Sequence, residues 1–209
     1  MAANDNEIMR TTPSPRLILA SASPRRADLL RSMGLTFEID PPNIDESPLP
    51  DETPEALVAR LAKSKAFATL KKNNGNPERP LYVLGADTIV LLDGRILGKP
   101  ADPSEAVRFL RDLSGKTHVV MTSFCLAQAP DRIVVSGTSS SRVSFKLLTP
   151  AEIEAYVNGG EAMDKAGGYA AQGEGSRLIG EIRGSVSNVI GLPTEELVPW
   201  FKKLGLFGG

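Results

Sequence analysis

The sequence predicts an α/β protein built on a mixed β-sheet flanked by helices. Three observations lead there. Short apolar runs that read as buried strands, Arg16–Ala20 and Leu81–Ala86, alternate with helix starts in the first half of the chain. Two long strand-like runs, His118–Ala127 and Ile133–Phe145, follow with only a turn at Pro130-Asp131 between them, as antiparallel neighbours do. Helix starts recur as a polar capping residue followed by proline: Ser23-Pro24, Thr53-Pro54, Asp102-Pro103 and Thr149-Pro150.

Taken in order, the helix from Pro24 runs to about Met33 and stops at Gly34. Asp40–Glu52, with Pro41, Pro42, Pro48 and several acids, is a loop. Thr53-Pro54 opens a long helix to about Lys72, and Asn73–Pro80 is a turn-rich connection to the strand at Leu81. Thr88–Leu92, Asp93-Gly94 and Arg95–Leu97 form a short hairpin. Asp102 and Glu105 make a capping box for a helix to about Leu113, and Thr149 with Glu152 does the same for one to about Asn158. Gly159–Gly191 is glycine-rich, with a strand at Leu178–Ile182. A last helix follows Pro193 and stops at Gly205. No linker divides the chain, so residues 16–209 read as one domain behind a polar extension, Met1–Pro15, expected to be disordered.

Composition narrows the class. A 209-residue chain with 41% hydrophobic and 23% charged residues can bury a proper core, which argues against disorder and coiled coil. No apolar run approaches the roughly 20 residues of a membrane span, and the N-terminus has neither a signal-peptide nor a transit-peptide pattern, so a cytoplasmic protein is expected. A net charge of −1 argues against a general affinity for DNA or RNA; an anionic ligand would need positive charge placed locally. The single cysteine, Cys125, and the single histidine, His118, both fall in apolar strand-like runs and read as structural. That excludes an internal disulfide and makes histidine-based zinc or Ser-His-Asp chemistry an unsuitable basis for function.

Ser21-Ala22-Ser23-Pro24-Arg25-Arg26 joins a buried strand to a helix start. A helix N-terminus offers unpaired N–H groups and partial positive charge, and guanidinium forks match phosphate oxygens. Arg25 and Arg26 either hold an anion there, with Ser21 letting the backbone approach, or simply point into water. Lys65 falls inside the apolar arc Leu57, Val58, Leu61, Ala62, Ala68 of the second helix, where a lysine either snorkels out or reaches into a cleft. Asp87 ends the buried run LYVLGAD, beside Thr88. A carboxylate at the carboxyl end of a sheet strand can hold a metal, act as a base on water, or cap a turn. Glu46 and Asp45 add acidity in the proline-pinned loop. Gly98-Lys99-Pro100 and Asp164-Lys165 bring further charge. The glycines of DKAGGYAAQGEG suit either close approach to a ligand or a mobile loop. Tyr169 offers a stacking face and Gln172 an amide for a base edge, or both are ordinary packing.

Eight segments in series resemble the Maf family of nucleotide pyrophosphatases: LASASPRRADLL (19–30), IDES (44–47), LAKSKA (61–66), LGADTIV (84–90), GKP (98–100), LSGKTHVVMT (113–122), DKAGGYAAQG (164–173) and GSVSNVIGLP (184–193). The resemblance runs from about Leu17 to Leu206. It implies an ITPase-like fold with two lobes around a nucleotide cleft, a homodimer, and a divalent ion, Mg²⁺ or Mn²⁺. It implies Asp87 as the catalytic acid residue and Arg25, Thr88 and Gln172 as the substrate-selecting trio. The pattern DKAGGYAAQG is similar to the branch acting on dTTP and UTP rather than 7-methyl-GTP, and a glutamine amide can both donate to and accept from the imide edge of uracil or thymine. On this basis Ser21, Arg26, Lys65, Lys99, Asp164 and Lys165 are expected to bind the triphosphate, with Glu46 and Asp87 carrying the metal. The alternative from another class is a regulator that binds a nucleotide without hydrolysing it.

Overall fold

The computed structural model describes residues 14–73 and 79–207. The expectation of disorder for Met1–Pro15 therefore lies almost wholly outside the described residues, as does most of the Asn73–Pro80 connection. The described chain forms β1 (Arg16–Leu19), α1 (Pro24–Ser32), β2 (Glu38–Ile39), α2 (Pro54–Lys72), β3 (Leu81–Leu92), β4 (Arg95–Leu97), α3 (Pro103–Leu113), β5 (Thr117–Gln128), β6 (Arg132–Phe145), α4 (Pro150–Asn158), β7 (Ile179–Arg183), α5 (Val186–Ile190) and α6 (Thr194–Lys203). The strands make one seven-stranded mixed sheet in the order β2-β1-β3-β5-β6-β7, with β4 paired to β3 off that path. β1 runs parallel to β2 and β3, and the remaining pairs are antiparallel.

Side-chain alternation explains how both faces of this sheet are covered. Leu17, Leu19, Leu84 and Phe124 face a core closed by α1 and by Phe201 of α6. Their neighbours Ile18, Val83 and Cys125 face the other way, onto Ala66 and Leu70 of α2. Burial there pushes the Cys125 thiol up to about 11, leaving it a small apolar filler. A second large core lies at the far end of the long strands, where Val90, Val120 and Phe145 meet Leu110 of α3 and Tyr156 of α4. β3, β5 and β6 run through both cores, so the molecule has two lobes on one continuous sheet.

Four details depart from sequence expectation. β2 was not foreseen; two exposed residues carry no alternation, and their pairing to Ile18 and Leu19 alone defines them. β3 does not stop near Ala86. It runs twelve residues to Leu92, so Asp87 sits inside a strand rather than at its carboxyl end. α5 hides in the glycine-rich stretch, where Ser185 caps it by accepting from the Asn188 N–H and Gly191 ends it at a φ of +126°. The expected capping boxes divide: Glu152 reaches back to Thr149, but Glu105 binds the Ala101 N–H instead of that of Asp102.

Candidate active site

β3 has β5 along one whole edge and two short partners on the other. β1 pairs with it up to Leu84, and β4 begins at Val90. Between them the edge from Gly85 to Ile89 is left without a strand, and there the lobes part around a cleft of about 670 Å³. That is within the range of roughly 300–1,000 Å³ usual for small-molecule sites. Asp87 and Thr88 stand on this open edge. As successive strand residues they point to opposite faces, Asp87 toward α2 and Thr88 toward α1 and α5.

On the α2 side, Lys65 does not snorkel. Its Nζ lies 2.6 Å from Asp87 Oδ1 and 3.0 Å from Glu46 Oε1, and its side chain is only 11% exposed. Gly85 makes this possible. A Cβ there would come within 2.3 Å of the Ala62 carbonyl oxygen and 2.6 Å of the Ala66 nitrogen, so α2 lies directly on the β3 backbone. Glu46, half-exposed, arrives from the loop before α2.

On the other side, Arg26 turns inward from the first turn of α1 and is buried. Its Nε donates to the Gly191 carbonyl at 2.8 Å, NH1 to Ser21 Oγ at 2.9 Å and NH2 to Thr88 Oγ1 at 3.0 Å. Burial pulls its pKa down, opposed mainly by the charge of Asp87. Arg25 instead faces the other lobe and meets Asp164 at 3.2 Å across the cleft. Burial pushes the Asp164 carboxyl up, but hydrogen bonds and charge from Lys165 and Arg25 outweigh it and hold the group below its ordinary value. Lys165 is buried and also donates to the Glu161 carbonyl. Lys99 and Gln172 are exposed on the rim, and Lys99 forms no ion pair among the described residues.

The eleven residues assigned to the site through the family resemblance, Ser21, Arg25, Arg26, Glu46, Lys65, Asp87, Thr88, Lys99, Asp164, Lys165 and Gln172, all line this one cleft, whereas Asp45 does not. Its wall carries five cationic side chains against three carboxylates, so the cleft is locally positive in a chain of net charge −1. Gly167, at a φ of +70°, packs against Val90 and donates its N–H to the Gly98 carbonyl, so the close approach is to protein. Tyr169 is buried, its hydroxyl 2.6 Å from His118 Nε2, and its ring sits edge-on to Phe145. Burial brings His118 down to about 4.

Sequence reasoning gave no role to Thr122 or Asn188, both fully buried beneath the site. Thr122 donates to the Asn188 carbonyl at 2.9 Å and lies 2.9 Å from the Thr88 hydroxyl. Asn188 Nδ2 donates to the Val120 carbonyl and to Ser141 Oγ, fastening α5 onto β5 and β6. The available signal was a hydroxyl within the apolar run His118–Ala127.

No group of three or more His, Cys, Asp or Glu is gathered for a metal among the described residues. Asp87 and Glu46, each with one oxygen on Lys65, form a two-carboxylate set. Such a pair fits a hard divalent ion that takes its other ligands from water and phosphate, as Mg²⁺ commonly does.

The fold and the cleft define a two-lobed α/β protein with a basic pocket at an interrupted sheet edge. The chain belongs to the Maf family: the family model described as "Maf-like protein" matches residues 16–204. It is 47% identical over 192 residues to the dTTP/UTP pyrophosphatase of Syntrophus aciditrophicus, covering 91% of this chain and 90% of that protein. It is 44% identical to the dTTP/UTP pyrophosphatase of Geobacter metallireducens, covering 91% and 96%, and 45% identical to that of Anaeromyxobacter dehalogenans, covering 92% and 95%. Among solved structures, a nucleoside-triphosphatase (dITP/XTP pyrophosphatase) of Mycobacterium abscessus is a distant likeness, at TM-score 0.42 and 14% identity over 90% of this chain and 93% of that one.

Proposed function

We propose that the chain is a nucleoside triphosphate pyrophosphatase that cleaves dTTP and UTP between the α- and β-phosphates, releasing the monophosphate and pyrophosphate and clearing unwanted pyrimidine nucleotides from the pool. The observation that carries this is Asp87 on the open edge of β3, held by Lys65 in a cleft with a cationic surplus. The names of the relatives supply the substrate class.

Asp87 takes the role of base. Oδ1 is fixed by Lys65, and the other carboxylate oxygen orients a water and receives its proton as that water's oxygen bonds to phosphorus and the bridging oxygen leaves with pyrophosphate. Lys65, Arg25, Lys99 and Lys165 neutralise the triphosphate and the charge that develops on it. Arg26 and Ser21 shape the backbone around the phosphates. Arg25, Thr88 and Gln172 select the substrate. Asp87 and Glu46 would hold a Mg²⁺ or Mn²⁺ ion, which supplies charge neutralisation at the phosphate oxygens. Among the described residues no helix is long and apolar enough to cross a membrane, which suits a cytoplasmic enzyme with a soluble substrate. Family resemblance supports a homodimer.

The test is the initial rate of pyrophosphate release from a panel of nucleoside triphosphates with Mg²⁺ or Mn²⁺, wild type beside Asp87→Asn. Turnover of dTTP and UTP that falls by about 10²–10⁴ in the variant supports the assignment. Tight binding without turnover of any triphosphate points to a nucleotide-binding regulator, and preferred turnover of 7-methyl-GTP overturns the pyrimidine assignment.

A further inference from the structure

The hydrogen bonds beneath Thr88 have only one consistent direction. The Asn188 carbonyl can only accept, so the single hydroxyl proton of Thr122 goes to it. Thr122 Oγ1, 2.9 Å from Thr88 Oγ1, is then left to accept, and the Thr88 proton is committed to Thr122. Arg26 NH2 donates into one Thr88 lone pair at 3.0 Å. What Thr88 still offers the cleft is one lone pair and no proton. An acceptor-only hydroxyl has nothing to give a phosphate oxygen, which also only accepts. It suits a ligand atom that carries hydrogen.

We propose that Thr122 is a positioning residue that makes the Thr88 hydroxyl a one-way acceptor, and so selects a base edge with a donor at its centre, the N3–H of uracil and thymine, over the bare N3 of cytosine. The inference rests on the pyrimidine assignment above. A glutamine amide such as Gln172 cannot make this distinction alone, because rotation by 180° exchanges its donor for its acceptor and serves O4 of uracil or N4 of cytosine equally well. A hydroxyl whose proton is tied down cannot reverse in that way. Thr122 is fully buried, and Asn188 is fixed to β5 and β6 through its side chain, so the direction is set by groups that no ligand touches.

The experiment is the ratio of kcat/KM for UTP to that for CTP, and for dTTP to dCTP, in wild type, Thr122→Val, Thr122→Ser and Thr122→Cys. The ratio is measured within one preparation, so it does not depend on the fraction of folded enzyme. Wild type and Thr122→Ser are expected to prefer the N3–H bases strongly. In Thr122→Val the Thr88 proton is released to turn toward the cleft, and the preference falls by about tenfold or more. Thr122→Cys, with a weak sulfur partner, falls between. If Thr122→Val lowers both substrates equally, Thr122 only supports the fold, or Thr88 faces water instead of a base, and the proposal is overturned. If wild type cleaves UTP and CTP alike, the proposal fails while the pyrophosphatase assignment stands. If no pyrimidine triphosphate is cleaved, both fall.

Discussion

Lys65 Nζ and Asp87 Oδ1 lie 2.6 Å apart, brought together from the middle of α2 and the unpaired edge of β3. The contact joins two features that look unfavourable in isolation, a lysine in a core-facing helical stripe and a carboxylate inside an apolar strand. Each is the other's partner, which is how buried charge is tolerated. Glu46 adds a second carboxylate from a loop, so the ammonium has two anions within 3.0 Å.

Removing only the lysine should therefore expose the cost of the carboxylate. Lys65→Met is expected to lose activity and about 3 kcal/mol of stability, measured by urea unfolding. Adding Asp87→Leu should recover most of that stability and none of the activity. If the double variant is as unstable as the single one, the pair is not what holds Lys65 in place.

Gly85 sets the distance between α2 and β3. A methyl group there would overlap backbone atoms of Ala62 and Ala66, which cannot swing aside as a flexible side chain could. Gly85→Ala is expected to cost about 1–3 kcal/mol and, by moving Lys65 relative to Asp87, to lower kcat by about tenfold to a hundredfold. An active, fully stable variant would mean that α2 adjusts freely and that Gly85 has no part in placing the site.

The sequence made some of this legible and hid the rest for physical reasons. The charges stood out because they broke apolar patterns: Lys65 in a helical arc, Asp87 in a buried run, Arg25 and Arg26 at a helix start. The open edge of β3 did not, since it depends on where β1 stops and β4 begins, and strand pairing leaves no local mark on Gly85–Ile89. The relay through Thr122 and Asn188 was equally hidden, because one hydroxyl in a strand has the same composition whether or not it directs a neighbour. The glycines of the 164–175 segment left two readings open for the converse reason. Their composition suits a ligand loop or a mobile one alike, and at Gly167 the close approach is made to Val90.

His118 gives the protein an acid-side weakness separable from catalysis. Its folded pKa of about 4 lies below the ordinary value of 6.5 because burial disfavours the cation. Between these values the unfolded chain binds a proton that the native state refuses. Stability should thus be full above about pH 6.5 and fall as pH drops toward 4, by an amount on the order of 3 kcal/mol. Unfolding midpoints at pH 7, 6, 5 and 4.5 measure the slope, and His118→Leu should flatten it; Asp164, held below its ordinary value, loses its contribution only at lower pH still. An unchanged slope would show that native His118 takes up its proton as readily as the unfolded chain does.

Arg25 and Arg26 are adjacent in sequence and separable by experiment. Arg25 is partly exposed and bound to one carboxylate at 3.2 Å, so Arg25→Lys keeps the charge and should change stability by under about 1 kcal/mol. Arg26 spends three of its five N–H donors on Gly191, Ser21 and Thr88. These join α1, the turn before it and β3 to the end of α5, and a lysine ammonium at the end of a flexible stem cannot reach all three in that planar arrangement. Arg26→Lys is therefore expected to cost about 2–4 kcal/mol, since each lost bond involves a charged donor, and to lower kcat as the frame loosens. The comparison turns on stability and not on activity, which falls in both variants. A purely phosphate-binding Arg26 would raise KM and leave the unfolding midpoint where it was. A loss of stability confined to Arg26→Lys would mark Arg26 as part of the frame that positions Thr88, with charge toward the phosphates as its second duty.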